Sequence, residues 1–156
     1  MTHSFEDALH VIRDKISAAA LDLPSELVVL EAARGRILAE DARADRDYPP
    51  FHRSARDGFA VRFADLASIP ATLDCIGEVA AGGHFDKAVS AGECVNIMTG
   101  APLPAGADAV VMVEDTEREE SRVTFLRPAK RSDNVVRCGS EAPAGKIVLR
   151  RGRTLG

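Results

Sequence analysis

Short apolar runs separated by turn signals fill most of the chain after residue 57, and this pattern limits its possible folds more than any other feature. The runs are rich in β-branched residues and have the length of strands rather than helices. Glycine-containing turns such as Ala91-Gly92 lie between them. The sequence therefore predicts a mostly antiparallel β-structure. The expected strands are Gly58–Val61, Leu73–Val79, Cys94–Met98, Ala109–Val113, Arg122–Leu126 and Lys146–Leu149.

In the first 20 residues the apolar positions recur with a different period. Apolar side chains recur at helical spacing, and Ser4 with Asp7 three residues later resembles a capping box. We expect a helix over residues 5–20, then a short β-rich run at Glu26–Leu30 and a helical turn at Glu31–Gly35 closed by the glycine. The predicted fold class is α+β, mostly antiparallel β. The apolar helix positions are Phe5, Leu9, Ile12 and Ile16.

Composition excludes several classes of protein. The net charge of −4 has both signs interspersed, so we expect no nucleic-acid partner, because phosphate backbones are bound by basic stripes. No apolar run approaches the roughly 20 residues of a membrane span, and the first residues lack the blocks of a secretory signal. The three cysteines are far apart and form no C-x-x-C pair, which argues against disulfides and thiolate zinc sites. We expect a soluble, cytoplasmic protein without membrane contact.

Three segments together carry a family resemblance. Pro49–Arg62 contains the string PPFHRSARDGFAVR, Ile97–Thr116 contains IMTGAPLPAGADAVVMVEDT, and Asn134–Gly152 ends the pattern with spaced glycines. In this order and spacing they resemble the N-terminal half of the molybdopterin molybdenumtransferases, a family that includes the C-terminal region of gephyrin. The resemblance spans essentially the whole chain.

The resemblance implies a division into two lobes. Residues 1–43 and 138–156 would form a helix-containing lobe, which is the dimerisation region, and residues 44–137 an inserted β-rich lobe. Arg127–Asn134 is the expected return linker. Relatives in this family are homodimers, and contact with a molybdopterin adenylyltransferase is a further implied partnership.

The implied reaction is the insertion of molybdate into adenylylated molybdopterin, assisted by Mg²⁺ or another divalent ion. Family enzymes continue into a molybdopterin-binding α/β domain, so we expect this chain alone to be inactive. The sequence leaves open whether the metal inserted is molybdenum or tungsten. The site residues implied by the resemblance are catalytic Asp57, Thr99 and Glu141, substrate-binding Ser54 and Gly100, and Asp57 as the metal ligand.

Each implied role has a structural alternative. Asp57-Gly58 is also a turn signal, since both residues tolerate the positive φ of tight turns, but a carboxylate there can bind a cation or accept a proton. Thr99-Gly100 can simply reverse the chain, or donate to an anion. Ser54 can orient the turn or bind the ligand.

The chain also departs from the family pattern. His52-Arg53 replaces the usual Asp-Asn, Arg56 replaces an apolar residue, and Glu141 stands where the family has a functional aspartate. Arg56 and the short chain favour a rival interpretation, a non-catalytic binding or dimerisation module. His52 and His84 lack a second ligand at metal-binding spacing, and the acidic cluster that begins at Glu114 is expected to be a solvated face.

Overall fold

The computed structural model describes residues 4–18 and 24–156. Its internal contacts divide the chain into two units, the described part of Met1–Glu40 with Arg151–Gly156, and Asp41–Arg150. The predicted lobes divided the chain differently, with residues 41–43 and 138–150 in the helix-containing lobe. In the structure this stretch is bonded to the second unit, since the Gly139 N–H donates to Pro49 O and the Glu141 N–H to Tyr48 O, both at 2.9 Å. The strand Ile147–Leu149 pairs with Ala42–Arg43, so those residues belong to the same unit.

The first unit contains the helix α1, Phe5–Ala18. The Ser4 hydroxyl accepts the Asp7 N–H at 3.1 Å and the Asp7 carboxylate accepts the Ser4 N–H at 3.1 Å, so the capping box is confirmed. The hydrogen bonds from Ser4 lower the pKa of Asp7. Residues 19 and 20 of the predicted helix lie outside the described residues.

The strand predicted at Glu26–Leu30 is wrong. The described chain there is irregular and leads into a 3₁₀ turn at Leu30–Ala32, with Leu27 fully exposed. β-propensity reflects packing against neighbouring strands, and this run has none. Gly35 ends the turn with φ of +78°, and its N–H donates to Leu155 O at 2.6 Å.

The second unit is built on short strands. They are β1 Ala42–Arg43, β2 Arg53–Ser54, β3 Gly58–Val61, β4 Ala71–Val79, β5 Glu93–Ile97, β6 Ala109–Met112, β7 Thr116–Glu119, β8 Arg122–Phe125, β9 Val135–Val136 and β10 Ile147–Leu149. Six of them form the main sheet, with the order β6-β3-β5-β4-β8-β7. Neighbours in this sheet are antiparallel except β4 and β5, which are parallel. The predicted α+β class with mostly antiparallel strands is confirmed.

The main sheet is covered on both faces around β3. Phe59 and Val61 belong to one buried cluster and Ala60 to the other, as expected when successive side chains point to opposite faces. The rings of Phe59 and Phe125 meet edge to face, with centroids 6.1 Å apart. A central strand packed on both sides holds its ends in fixed positions, which matters for the residues that flank it.

The three cysteines all lie within the second unit. Cys75, Cys94 and Cys138 are all free. Cys94 is buried, and burial raises the pKa of its thiol to about 12. Within residues 4–18 and 24–156, no helix is long and apolar enough to cross a membrane.

Candidate functional site

The start of β3 and the ends of β5 and β6 lie together at one end of the main sheet. β3 is antiparallel to both its neighbours, and Gly58 at its start pairs with Ile97 of β5 and Met112 of β6. Residues that follow β5 and β6 therefore lie beside those that precede β3. They line a pocket of about 260 Å³. Its lining residues are Ala55, Arg56, Asp57, Thr99, Met112 and Glu114.

Asp57 and Thr99 are in direct contact in this pocket. The Thr99 backbone N–H donates to Asp57 Oδ1 at 2.6 Å, and its hydroxyl donates to the same oxygen at 2.8 Å. These bonds, the backbone one first, lower the pKa of the Asp57 carboxyl. The carboxylate is thus held ionised and oriented by a neighbouring loop, although its side chain is exposed.

The explanation of Asp57-Gly58 as a tight turn that needs a positive φ is wrong. Neither residue has a positive φ, so no left-handed turn demands them. The glycine is needed because a Cβ at position 58 would lie 1.9 Å from the carbonyl oxygen of Val111 on β6. Gly58 allows β3 and β6 to pair closely, while the carboxylate of Asp57 accepts the two hydrogen bonds from Thr99.

Ser54 and Gly100 connect the two loops of the site. The Ser54 carbonyl accepts the Gly100 N–H at 2.9 Å, and the Ser54 N–H donates to Ala101 O at 3.0 Å. The Ser54 hydroxyl is buried and donates to Arg56 O, so its own turn uses its donor. This geometry supports an orienting role for Ser54. Gly100 has φ of +84°, which only glycine adopts easily.

Glu141 does not line this pocket. Its carboxylate accepts a hydrogen bond from Arg53 at 3.1 Å, and its backbone N–H donates to Tyr48 O at 2.9 Å. The two departures at positions 53 and 141 are therefore paired with each other in the structure. A contribution of Glu141 to the pocket beside Asp57 stays a prediction.

Arg56 and Glu114 line the pocket, although neither was predicted as a site residue. The expectation for Glu114 was a solvated face, and its side chain is indeed exposed. Its position could have been found by pairing the predicted strands, because the end of Ala109–Val113 must lie beside the start of Gly58–Val61 if they are antiparallel neighbours. Arg56 contributes a guanidinium to the same pocket lining as Asp57 and Glu114.

The pocket offers Asp57 and Glu114 as oxygen ligands for a divalent cation. Mg²⁺ is commonly held by one or two carboxylates and keeps several waters, so these two residues fit it. Within the described residues no cluster of three or more acidic, histidine or cysteine side chains is suited to a metal. The guanidinium of Arg56 would oppose a cation by charge, and it favours an anionic ligand in the same pocket.

Comparison with known proteins gives the same assignment over nearly the whole chain. The family model described as the MoeA N-terminal region, domain I and II, matches residues 3–156. A molybdopterin molybdenumtransferase of Staphylococcus aureus is 39% identical over 137 residues, which cover 85% of this chain and 33% of the relative. One of Bacillus subtilis is 40% identical over 136 residues, which cover 82% and 32%. The chain thus spans about a third of the length of these relatives.

Solved structures agree. A crystal structure of the molybdopterin biosynthesis moeA protein from Pyrococcus horikoshii OT3 has a TM-score of 0.81 and 38% identity, covering 84% of this chain and 36% of that one. A second structure of that protein has a TM-score of 0.81 and covers the whole of this chain. The fold, the order of the motifs and the sequence identity coincide, and the chain belongs to the family of MoeA N-terminal regions.

Proposed function

We propose that this chain serves as the N-terminal part of a molybdopterin molybdenumtransferase, in molybdenum cofactor biosynthesis. Its pocket would contribute cleft residues to the insertion of molybdate into adenylylated molybdopterin. The observation that carries this proposal is the contact between Asp57 and Thr99, both expected as functional residues, in one pocket at the sheet edge.

The charges and donors of the pocket suit a reaction between anions. Molybdate and the pyrophosphate linkage of the nucleotide are both negatively charged, so bringing them together needs cations and donors more than a strong nucleophile. Arg56 supplies a fixed positive charge, and Asp57 with Glu114 would hold a Mg²⁺ ion. When bound, that ion would neutralise phosphate charge and act as a Lewis acid.

Asp57 is the residue on which this proposal depends most. Since Thr99 occupies its Oδ1 and lowers its pKa, the side chain stays a carboxylate near neutral pH. An ionised carboxylate in a fixed orientation can bind a cation or accept a proton from water. Thr99 would orient Asp57, and Gly100 would shape the loop through its left-handed backbone.

The remaining parts of the proposal come from the resemblance. We expect a homodimer, transfer of the substrate from a molybdopterin adenylyltransferase, and a cytoplasmic location. The exposed apolar residues of α1, among them Phe5, Ile12 and Ile16, support self-association. The isolated chain is expected to perform no insertion, because the relatives it matches are about three times as long.

A chimera tests the proposal directly. This chain would replace the corresponding N-terminal third of the Bacillus subtilis enzyme, and insertion would be measured with adenylylated molybdopterin and molybdate. Activity of the chimera that is lost on Asp57→Asn supports the proposal. Activity that Asp57→Asn and Thr99→Ala both leave unchanged would remove these residues from the reaction.

Arg56 favours a second candidate, a non-catalytic binding or dimerisation module of the same family. The guanidinium in a pocket that also contains Asp57 and Glu114 is a departure that can disable a cation site. In that case the chimera would fold and dimerise without activity, and Arg56→Met would restore it. An active chimera before any substitution excludes this alternative.

A further inference from the structure

A second pocket lies outside the candidate site and is basic. Its volume is about 350 Å³, and it shares no lining residue with the pocket of Asp57. Its lining contains two arginines and one aspartate. With a neutral histidine, the net charge of the lining is therefore +1. The lining residues are His52, Leu103, Ala107, Asp108, Arg131, Ser132, Val135 and Arg137.

Asp108 is already committed to holding its surroundings. Its Oδ1 accepts the Phe63 N–H at 2.7 Å, and its Oδ2 lies 3.3 Å from Arg131 Nε. The guanidinium of Arg131 also stacks over the Phe63 ring, 5.3 Å from the centroid. Arg131 is therefore oriented by its Nε and by the Phe63 ring, its side chain is 72% exposed, and its two terminal nitrogens can donate to a ligand.

Arg137 has no carboxylate partner among the described residues. Its Nη2 donates to Ser132 Oγ at 3.3 Å, and no acidic side chain of residues 4–18 or 24–156 forms an ion pair with it. Ser132 Oγ accepts that bond and keeps its own hydroxyl hydrogen for donation. An unpaired guanidinium beside a hydroxyl donor is a combination that suits an oxyanion.

The loop that presents these groups is rigidly tied to β6. The Ser132 N–H donates to Asp108 O at 2.7 Å, Asp133 O accepts the Val110 N–H at 2.9 Å, and Asn134 Nδ2 donates to Val110 O at 2.9 Å. Ser132 adopts φ of +67°, a conformation uncommon for serine. These bonds hold the backbone that carries Arg131 and Ser132 in position before any ligand arrives, which lowers the entropic cost of binding.

His52 adds a donor of defined type. Its Nδ1 accepts the Cys138 backbone N–H at 3.1 Å, so the proton of the neutral ring is on Nε2. The ring that lines the pocket can thus donate a hydrogen bond through Nε2. With Arg131, Ser132 and Arg137, four donor side chains and a single, already occupied carboxylate make up the polar lining.

We propose that this pocket binds a tetrahedral oxyanion of the phosphate or molybdate type. Guanidinium groups present several N–H donors in a planar fork that matches such oxyanions, and the hydroxyl and imidazole supply further donors. The volume of about 350 Å³ exceeds what one small oxyanion needs, so the ion can also belong to a larger phosphate-bearing molecule. The pocket shares no lining residue with the pocket of Asp57, so oxyanion binding here can be measured separately from insertion.

Titration calorimetry on the 156-residue chain tests this inference, using sodium phosphate, pyrophosphate, molybdate and sulfate at constant ionic strength. We expect saturable binding at one site and perturbed amide signals of Ser132 and Cys138 in NMR spectra. Arg137→Gln should weaken binding about tenfold or more, as expected for the loss of charge-assisted bonds. Arg122→Gln, an equal charge change on β8, should alter it by less than about twofold.

The oxyanions distinguish the possible sources of the ligand. Preference for molybdate indicates a store for the free metal oxyanion, and preference for phosphate or pyrophosphate indicates a phosphate-bearing ligand; both support the pocket. Absence of saturable binding up to about 10 mM overturns the inference, since affinities weaker than this leave a site empty. Equal weakening by Arg137→Gln and Arg122→Gln, or weakening by Arg56→Gln alone, also overturns it.

Discussion

Both hydrogen-bond donors of Thr99 converge on one oxygen of Asp57, the backbone N–H at 2.6 Å and the hydroxyl at 2.8 Å. No other described residue has a hydrogen bond to the Asp57 carboxylate in the structure, and the side chain is exposed. One oxygen is therefore anchored and the other is left for a cation, water or substrate. These two hydrogen bonds join the residue that precedes β3 to the loop that follows β5, at the end of the sheet where the two strands pair.

Asp57→Asn removes the charge of this side chain and keeps its size and shape. The amide oxygen can still accept both bonds from Thr99, so we expect the melting temperature of the chain to change by less than about 3 °C. In the chimera, however, insertion activity should fall about tenfold or more, because a neutral amide is a poor cation ligand and a poor proton acceptor.

Asp86→Asn is the matched control for this substitution. Asp86 is almost fully exposed, its ion-pair partner is His84, and it does not line the pocket, so both stability and activity should stay at the wild-type level. A large loss of stability in Asp57→Asn, with activity per folded molecule preserved, would make Asp57 a structural residue.

Thr99→Ala should raise the pKa of Asp57 toward its ordinary value of 3.8. The variant loses the hydroxyl donor but keeps the backbone N–H, which is the larger cause of the lowered pKa, so the recovery should be partial. Carbon-13 NMR of the carboxyl group against pH measures this directly. An unchanged titration would show that the hydroxyl does not contribute.

The same pair gives a pH dependence whose sign follows from the lowered pKa. A carboxyl that is more acidic in the folded state contributes stability above its unfolded pKa, and this contribution is lost as pH falls through the folded value. The difference in melting temperature between wild type and Thr99→Ala should thus be full above about pH 4 and shrink below it. A difference that grows on acidification would contradict the assignment.

Much of this architecture could be predicted from the order of apolar runs. Gly58–Val61 and Ala109–Met112 are strands because their apolar residues pack on both faces of a buried sheet. β7, Thr116–Glu119, was missed because it contains no apolar residues that alternate with polar ones. It is the edge strand of the sheet and pairs only with β8. Edge strands of this kind are held by backbone bonds, which composition does not reveal.

The candidate site could be predicted only in part. Asp57 and Thr99 were implied by motifs in separate segments, and the structure places them in contact, while their roles stay predictions. Placing Glu114 requires that β3 and β6 be recognised as antiparallel neighbours, in the register that pairs Gly58 with Met112. Register depends on the packing of both faces, and a local pattern does not determine it.

Gly58→Ala should be severely destabilising. The new Cβ would lie 1.9 Å from Val111 O and 2.9 Å from Met112 Cα, so the backbones of β3 and β6 would have to separate. We expect a loss of at least about 3 kcal/mol in urea unfolding, among the largest effects of single substitutions. Gly82→Ala is the control, because it meets open space and costs only about 1–2 kcal/mol for its left-handed φ. Equal losses in the two variants would contradict the steric argument.

Self-association through α1 is the last prediction, and it follows from the exposure of one helix face. Phe5, Ile12 and Ile16 are 82%, 54% and 63% exposed, and no residue of α1 is buried. An apolar stripe left open to water favours association with a second copy. Sedimentation at tens of micromolar, a concentration scale at which a standard interface is populated, should show a dimer that Ile12→Glu dissociates. Val11→Glu makes the same chemical change off the stripe and should leave the dimer intact. A wild-type monomer would contradict self-association, and equal dissociation by both variants would place the dimer contacts elsewhere.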